Sequence, residues 1–358
     1  MDRIDGATTI RKGEELDVAR IEEFIKDSIP GLSGSLIINQ FPKGHSNLTY
    51  LLSIGEKEFV LRRPPFGRKA KSAHDMSREY RILKALRPVY SYCPEPFIYS
   101  DDETIMGRPF YIMQRIRGII LRRDFPAGLV LTASQVNKLY QNVLRVQHEL
   151  HFIDHKKIGL ENLGKPNDYV KRQVKGWCER YKSARTPDAP DAEKVMAWLI
   201  EQMPPDSKPL GLVHNDFKLD NIILDESDPM NIVGVLDWEM ATIGDPLMDL
   251  GSSLAYWIQN DDHPDMQAIR MMPTNAEGAP TREELIGLYS ELSGRKIDNF
   301  DFYYCFGLFR LAAIAQQIYY RYYHGQTKDE RFKTMIIGVH VLENAARRIV
   351  DRYGSQID

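Results

Sequence analysis

Two clusters of polar residues past the middle of the chain are spaced for chemistry. The first is His214-Asn215-Asp216-Phe217-Lys218-Leu219-Asp220-Asn221; the second, after a short apolar segment, is Val235-Leu236-Asp237-Trp238-Glu239. A carboxylate, an amide five residues later and a second carboxylate ending the next strand suit phosphoryl transfer. That reaction needs a base beside the incoming hydroxyl and oxygen ligands for a magnesium ion, which neutralises charge on the triphosphate. The competing structural reading makes Asp216 and Asn221 a simple turn and His214 a satisfied core histidine. An H-x-D-x-x-x-x-N loop joined to an apolar strand that ends in Asp points to the chemistry instead.

Upstream segments supply the parts such a site lacks. Phe59 to Arg62 reads as a strand whose last residue can point a cation at nucleotide phosphates, and Glu79 in the following helix can pair with it. The loop Phe41 to Asn47 can offer backbone N–H groups and the Ser46 hydroxyl to phosphate, although an ordinary hairpin turn explains its single glycine equally well. Tyr111 to Gly118 ends a strand as an extended hinge. There the backbone groups of Gln114 and Ile116 are free to pair with an adenine edge, with Met113 as the apolar residue behind it.

The elements that must position these residues follow from periodicity. A helix is predicted over Glu14 to Ser28, followed by short strands at Ser35 to Phe41, Asn47 to Ile54 and Glu58 to Arg62. Next come a helix over Ser72 to Leu86 and two more strands at Ile98 to Asp101 and Pro109 to Ile116. From Ser134 the pattern is helical, through Asn167 to Ser183, Asp191 to Gln202, Leu247 to Gln259, Arg282 to Leu292, Phe300 to His324 and Lys328 to Asp351. One β island, Gly211 to Leu224 and Ile232 to Trp238, carries the polar clusters. The expectation is an α+β, bilobal architecture: a small β-rich N-lobe over 1–116 and a large, mainly helical C-lobe over 117–358.

Composition agrees with a globular protein. The 358 residues carry 47 Lys and Arg against 50 Asp and Glu, with 43% hydrophobic residues, which excludes collagen-like and disordered classes. Through Arg123 there are 21 basic and 16 acidic residues; the remainder has 26 and 34. A basic first third on an acidic remainder suits an anionic ligand held between unlike parts, or is scatter in surface charge. The scattered Cys93, Cys178 and Cys305 form no disulfide framework, which favours a reducing cytoplasm. No signal peptide and no apolar run of about 18 residues is present, so no membrane partner is expected.

From about Leu36 to Leu250 the order of strand, helix with Glu, hinge, H-x-D-x-x-x-x-N and strand-Asp resembles the protein-kinase-like superfamily. Within it, the aminoglycoside phosphotransferase and choline kinase branch is the nearest match. The resemblance implies that Asp216 is the catalytic base, that Asn221 and Asp237 hold Mg2+, that Glu79 pairs the phosphate-binding cation, and that Gln114 and Ile116 bind adenine of ATP. Three departures matter. Arg62 stands where relatives have Lys, so the fork geometry changes while the charge persists. Trp238-Glu239 replaces Phe-Gly and no A-P-E segment follows, which moves the reading away from protein kinases. Lys218 stands where the small-molecule branch often has His; it can contact the transferring phosphate, or be a solvated loop lysine. The expected function is an ATP- and Mg2+-dependent transfer of phosphate to a hydroxyl of a small molecule, with an inactive nucleotide-binding pseudokinase as the alternative. Asp249, in the helix opened by Asp245-Pro246, reads as structural.

Other features are discounted. His148, His151 and His155 lack a third ligand at zinc spacing and read as helix-end histidines. The basic run Arg62, Arg63, Arg68, Lys69 and Lys71 has no interleaved aromatics, which argues against nucleic acid. It reads as a phosphate surface or solvated charge. The acceptor should lie among Tyr256, Trp257, Tyr303, Tyr304, Tyr319, Tyr320, Tyr322 and Tyr323, which can cage an amine or simply be core. The acidic C-lobe suits a cationic acceptor. Against this, Phe302 to Gly325 and Phe59 to Pro65 are similar to kinase-like domains attached to certain acyl-CoA dehydrogenases, which implies a hydroxyacyl-CoA whose phosphates meet the basic run.

Overall fold

A computed structural model describes residues 6–42, 47–65, 75–165 and 167–354. Helix α1 (Val18–Ser28) starts later than its periodicity suggested, because Asp17 caps it by accepting from the Arg20 N–H. Strands β1 (Leu36–Gln40), β2 (Leu48–Ile54) and β3 (Lys57–Arg63) follow, then α2 (Met76–Leu86), β4 (Pro96–Ser100), a short α3 (Glu103–Met106) and β5 (Phe110–Gln114). The five strands form one antiparallel sheet in the order β1-β2-β3-β5-β4. Buried and half-buried residues alternate strictly along β2, as expected of a strand with one face on a core. Asp75 caps α2, and Glu79 sits on the buried face of that helix.

The chain crosses into the helical lobe through a narrow passage. Ile119 exchanges two backbone hydrogen bonds with Leu224, at 2.9 and 2.8 Å. A Cβ at Gly118 would lie 2.3 Å from the Leu224 carbonyl oxygen, so only glycine permits this approach. Beyond it come α4 (Ala133–His151), α5 (Tyr169–Ala184) and α6 (Glu193–Glu201). The N-cap of α4 is Thr132 in a capping box with Gln135, where the sequence had suggested Ser134.

The β island divides more finely than its apolar runs suggested. Two antiparallel pairs form: β6 (Gly211–Val213) with β9 (Thr242–Gly244), and β7 (Ile222–Leu224) with β8 (Ile232–Val235). A 3-10 turn, Leu219–Asn221, and a second, Trp238–Met240, interrupt the chain where the polar clusters lie. Helices α7 (Pro246–Leu254), α8 (Pro264–Ala268), α9 (Arg282–Ser293), α10 (Asp301–Tyr323) and α11 (Met335–Gly354) complete the lobe. The predicted single helix from Lys328 breaks, because Asp329 caps a separate 3-10 turn over Glu330–Thr334.

Helix α10 is buried on most of its circumference and packs closely on α7. Added Cβ atoms at Gly251 and Gly307 would meet backbone oxygens of the facing helix at 2.3 and 2.2 Å, so these glycines set the crossing distance. Cys93, Cys178 and Cys305 are all buried with free thiols. Among the described residues no helix is long and apolar enough to cross a membrane. The result is the expected α+β, two-lobed architecture.

Candidate active site

The loop after β6 is fastened from below before it offers anything to a ligand. Asp249 of α7 is fully buried and accepts the His214 N–H at 3.1 Å and the Asn215 N–H at 2.6 Å. The same carboxylate accepts from Gln147 (3.2 Å) and His151 (2.9 Å). His214 is also fully buried: Nδ1 accepts the Asp216 N–H at 3.2 Å, which leaves Nε2 to donate to the Leu236 carbonyl at 3.0 Å. Trp238 packs edge-on against the His214 ring, with centroids 4.9 Å apart, and its own N–H bonds the Val235 carbonyl at 2.9 Å. Asn215 takes the left-handed backbone conformation (φ 63°), which Asn tolerates, and so turns the next residue outward.

Asp216 is the residue presented. Its Oδ2 receives Lys218 Nζ at 3.1 Å and the Asn221 amide at 3.1 Å, while Oδ1 has only a long contact of 3.4 Å from the Tyr256 hydroxyl. One oxygen is therefore clamped and the other is open. Burial raises the Asp216 pKa, with Lys218 pulling it down and Asp237 pushing it further up. Lys218 is not a solvated loop lysine. It is largely buried and stays charged because Tyr256, Asp216 and Asp220 outweigh the burial that would lower its pKa. Its ammonium also sits 5.0 Å above the Tyr256 ring.

Arg62 and Glu79 meet as the sequence suggested, at 2.6 Å and with both side chains buried. Arg62 further bridges to Asp237 Oδ1 at 2.9 Å and approaches Glu239 at 3.7 Å. Burial would lower the Arg62 pKa, but Glu79, Tyr111, Asp237 and Glu239 together hold it well above its ordinary value. Burial likewise pushes Asp237 up, and Arg62 more than reverses this. Glu239 carried no clear sequence signal. It ties the lobes together, accepting from Asn47 at 2.8 Å through its side chain and from Arg78 at 2.9 Å through its carbonyl.

Asn221 directly precedes β7 and Asp237 follows β8 by two residues; the register pairs Ile222 with Val235, and the Leu236 N–H bonds the Asn221 carbonyl at 2.8 Å. The Asn221 amide nitrogen is engaged by Asp216, so its side-chain oxygen is left free among the described residues. Asp237 uses one oxygen on Arg62 and is about a third exposed. Two hard oxygen donors fit magnesium, which keeps several waters and takes further ligands from phosphate.

The hinge matches in part. The Gln114 N–H donates to the Glu95 carbonyl at 2.8 Å, so it is not available to a base as expected; only its carbonyl remains. Ile116 N–H bonds nothing among the described residues, and Met113 is buried behind it. Ser46 lies outside the described residues, as do Arg68, Lys69 and Lys71. Arg62 and Arg63 are buried, so they form no part of a surface patch. Of the aromatic residues expected to line the acceptor site, Tyr256 reaches the loop; Trp257 bonds the Pro280 carbonyl at 2.9 Å and Tyr319 bonds Asp188 at 2.7 Å. His151 serves Asp249 and the Tyr289 hydroxyl (2.7 Å), in keeping with a helix-end histidine inside the fold.

The sequence profile of the phosphotransferase enzyme family matches residues 37–282, about two thirds of the chain. The chain belongs to this family. Among relatives of this chain, mouse acyl-CoA dehydrogenase family member 10 is 35% identical over 323 residues, covering 89% of this chain and 30% of that protein. Human acyl-CoA dehydrogenase family member 11 is 30% identical over 322 residues, covering 88% and 41%. The chain thus spans well under half the length of these relatives. In structure, it superposes on a Ralstonia eutropha chain provisionally described as an aminoglycoside phosphotransferase, with TM-score 0.79, 28% identity and 94% and 99% of the two chains covered. Choline kinase of Cryptosporidium parvum gives TM-score 0.61 at 14% identity, with 96% and 97% covered, and so shares the fold.

Proposed function

We propose that this phosphotransferase is an ATP- and Mg2+-dependent kinase of a small hydroxylated molecule. The observation that carries this reading is the asymmetry of Asp216. Oδ2 is held by Lys218 and Asn221, and Oδ1 is open to an acceptor hydroxyl beside the oxygen donors of Asn221 and Asp237. Asp216 takes the hydroxyl proton as the acceptor oxygen bonds the terminal phosphorus and the bond to the leaving diphosphate breaks. Lys218 keeps the clamped oxygen oriented and places a positive charge beside the transfer. Arg62, fixed by Glu79, directs a cation to the phosphates from β3. Asn221 and Asp237 would hold magnesium, which when bound offsets charge on the phosphates. The Gln114 carbonyl and the Ile116 N–H serve the adenine edge, and Ser46 the phosphates.

The relatives are named as acyl-CoA dehydrogenase family members, which supports a hydroxyacyl-CoA as acceptor. Three buried thiols suit work in a reducing cytoplasm. The presence of Asp216, Asn221 and Asp237 together supports the kinase reading over a nucleotide-binding pseudokinase.

ADP release over a panel of hydroxyacyl-CoAs, aminoglycosides, choline and sugars tests the proposal, with Asp216→Ala as the blank. At least one acceptor should stimulate release above that blank; stimulation by none, while nucleotide still binds, would overturn the enzyme reading. Asp237→Ala should separately lower nucleotide affinity at least tenfold in magnesium and little in EDTA, measured by calorimetry.

A further inference from the structure

On the backbone of the residue that precedes Asp216 rests a cation that the reaction as described does not use. Arg310, on α10, is 3% exposed and donates from Nη2 to the Asn215 carbonyl at 2.6 Å, one residue before the base. The same nitrogen lies 3.8 Å from the Met240 sulfur, and the guanidinium stacks 5.2 Å over Trp177. No carboxylate comes within 4.0 Å of it among the described residues, so its charge has no direct counter-ion. Asp216 is near enough for Arg310 to draw its pKa down, and Tyr169 and Tyr256 feel the same charge.

A guanidinium carries five N–H donors, and a buried arginine ordinarily satisfies them with a carboxylate. Here a single oxygen is engaged. None of the Arg310 nitrogens is among the fully sealed atoms lacking a partner, so the spare donors keep a trace of exposure. Around the guanidinium stand Met240, whose side chain is exposed, and Trp177, whose ring also carries Arg180 at 4.7 Å. Two arginines on one indole make this corner electropositive and partly apolar in a lobe that is acidic overall.

We infer that Arg310 binds an anionic oxygen group of the acceptor, a carboxylate or a phosphate, and so selects negatively charged hydroxylated substrates over cationic ones. The inference rests on the kinase reading and deepens it. Arg310 is a specificity residue: it holds the end of the acceptor that does not react, with Met240 and Trp177 covering the apolar part between that end and the hydroxyl. A planar fork suits either oxyanion, and burial strengthens the pairing.

Calorimetry with the full chain and Mg·ADP decides it, using 3-hydroxybutyrate, 3-hydroxybutyryl-CoA, neutral methyl 3-hydroxybutyrate and cationic kanamycin. Arg310→Gln should weaken the anionic probes at least tenfold and leave the methyl ester unchanged. Loss confined to the free acid identifies a carboxylate as the partner, and loss confined to the CoA ester identifies the phosphates. Met240→Glu places a carboxylate beside Arg310 from an exposed position, and should also abolish the preference for anions. Equal weakening of charged and neutral probes in Arg310→Gln would assign the residue to loop bracing alone. Binding of anions unaltered in both variants would overturn the inference outright. ADP release reports separately: anion binding that depends on Arg310, without acceptor-stimulated turnover, would refute the kinase reading and keep the anion site.

Discussion

Asp216→Asn is expected to lower acceptor-stimulated ADP release by about two to four orders of magnitude, the range associated with loss of a positioned general base. Nucleotide affinity should stay within a few-fold of the parent, because Arg62, Asn221 and Asp237 remain. The substitution is nearly isosteric, and the open Oδ1 position becomes either a neutral oxygen or an amide that cannot accept the proton. A pH profile of kcat/KM sharpens the test. Asp216 works deprotonated, so activity falls as pH drops through its pKa, and burial sets that limb above the ordinary carboxylate value. Lys218 opposes the shift, so Lys218→Met should move the acid limb further up. Unchanged turnover in Asp216→Asn would remove the residue from the reaction. An acid limb that stays put in Lys218→Met would instead remove the ion pair from the tuning of the base.

Asp249→Ala is expected to produce the largest loss of stability of any single change near the site, about 3–5 kcal/mol. The truncation leaves four donors with no acceptor in the interior: two backbone N–H groups of the loop, Gln147 and His151. Each buried orphan costs about 1–3 kcal/mol, partly relieved where Gln147 can keep its bond to Ser253 at 2.8 Å. Differential scanning calorimetry should show a fall in Tm of about 4–7 °C. The sign with pH is fixed as well. Burial pushes the folded pKa of Asp249 up, but the bond from His151 and the neighbouring donors bring it net below the unfolded value. Its contribution is therefore present above the unfolded pKa and disappears as pH falls through the lower, folded one. The variant should lose that part of its acid sensitivity. A Tm within about 2 °C of the parent would show the loop holding itself.

What could be read in advance was local. His214 to Asn221 and Asp237 stood out by their spacing, and the structure brings them together, with the Asn221 amide on Asp216 and the Leu236 N–H on the Asn221 carbonyl. The Arg62 to Glu79 pair was legible too, since a strand end and the following helix are near in sequence and in space. Contacts that join distant segments left no such trace. Glu239 meets Asn47 across 192 positions, and Arg310 meets Asn215 across 95, with nothing in either neighbourhood to mark them. Several element ends were also misplaced. Asp17, Thr132 and Asp329 cap their helices with side-chain bonds that override apolar periodicity. Short pieces such as β9 escaped because three residues carry no period. The Gln114 N–H was assigned to a ligand although Glu95, which arrives from the neighbouring strand, already holds it.

The three sealed thiols supply a natural clock for local opening. Burial raises Cys93 to about 12 and Cys178 to about 11 and pushes Cys305 up as well, so the folded chain offers almost no thiolate to an alkylating reagent. Cys93 sits where the sheet meets the hinge, whereas Cys178 and Cys305 lie inside the helical lobe on α5 and α10. Labelling followed by mass spectrometry would therefore time the unzipping of each region on its own, with no engineered probe. A ligand that closes the cleft would register as a delay at Cys93 before it registers at the other two.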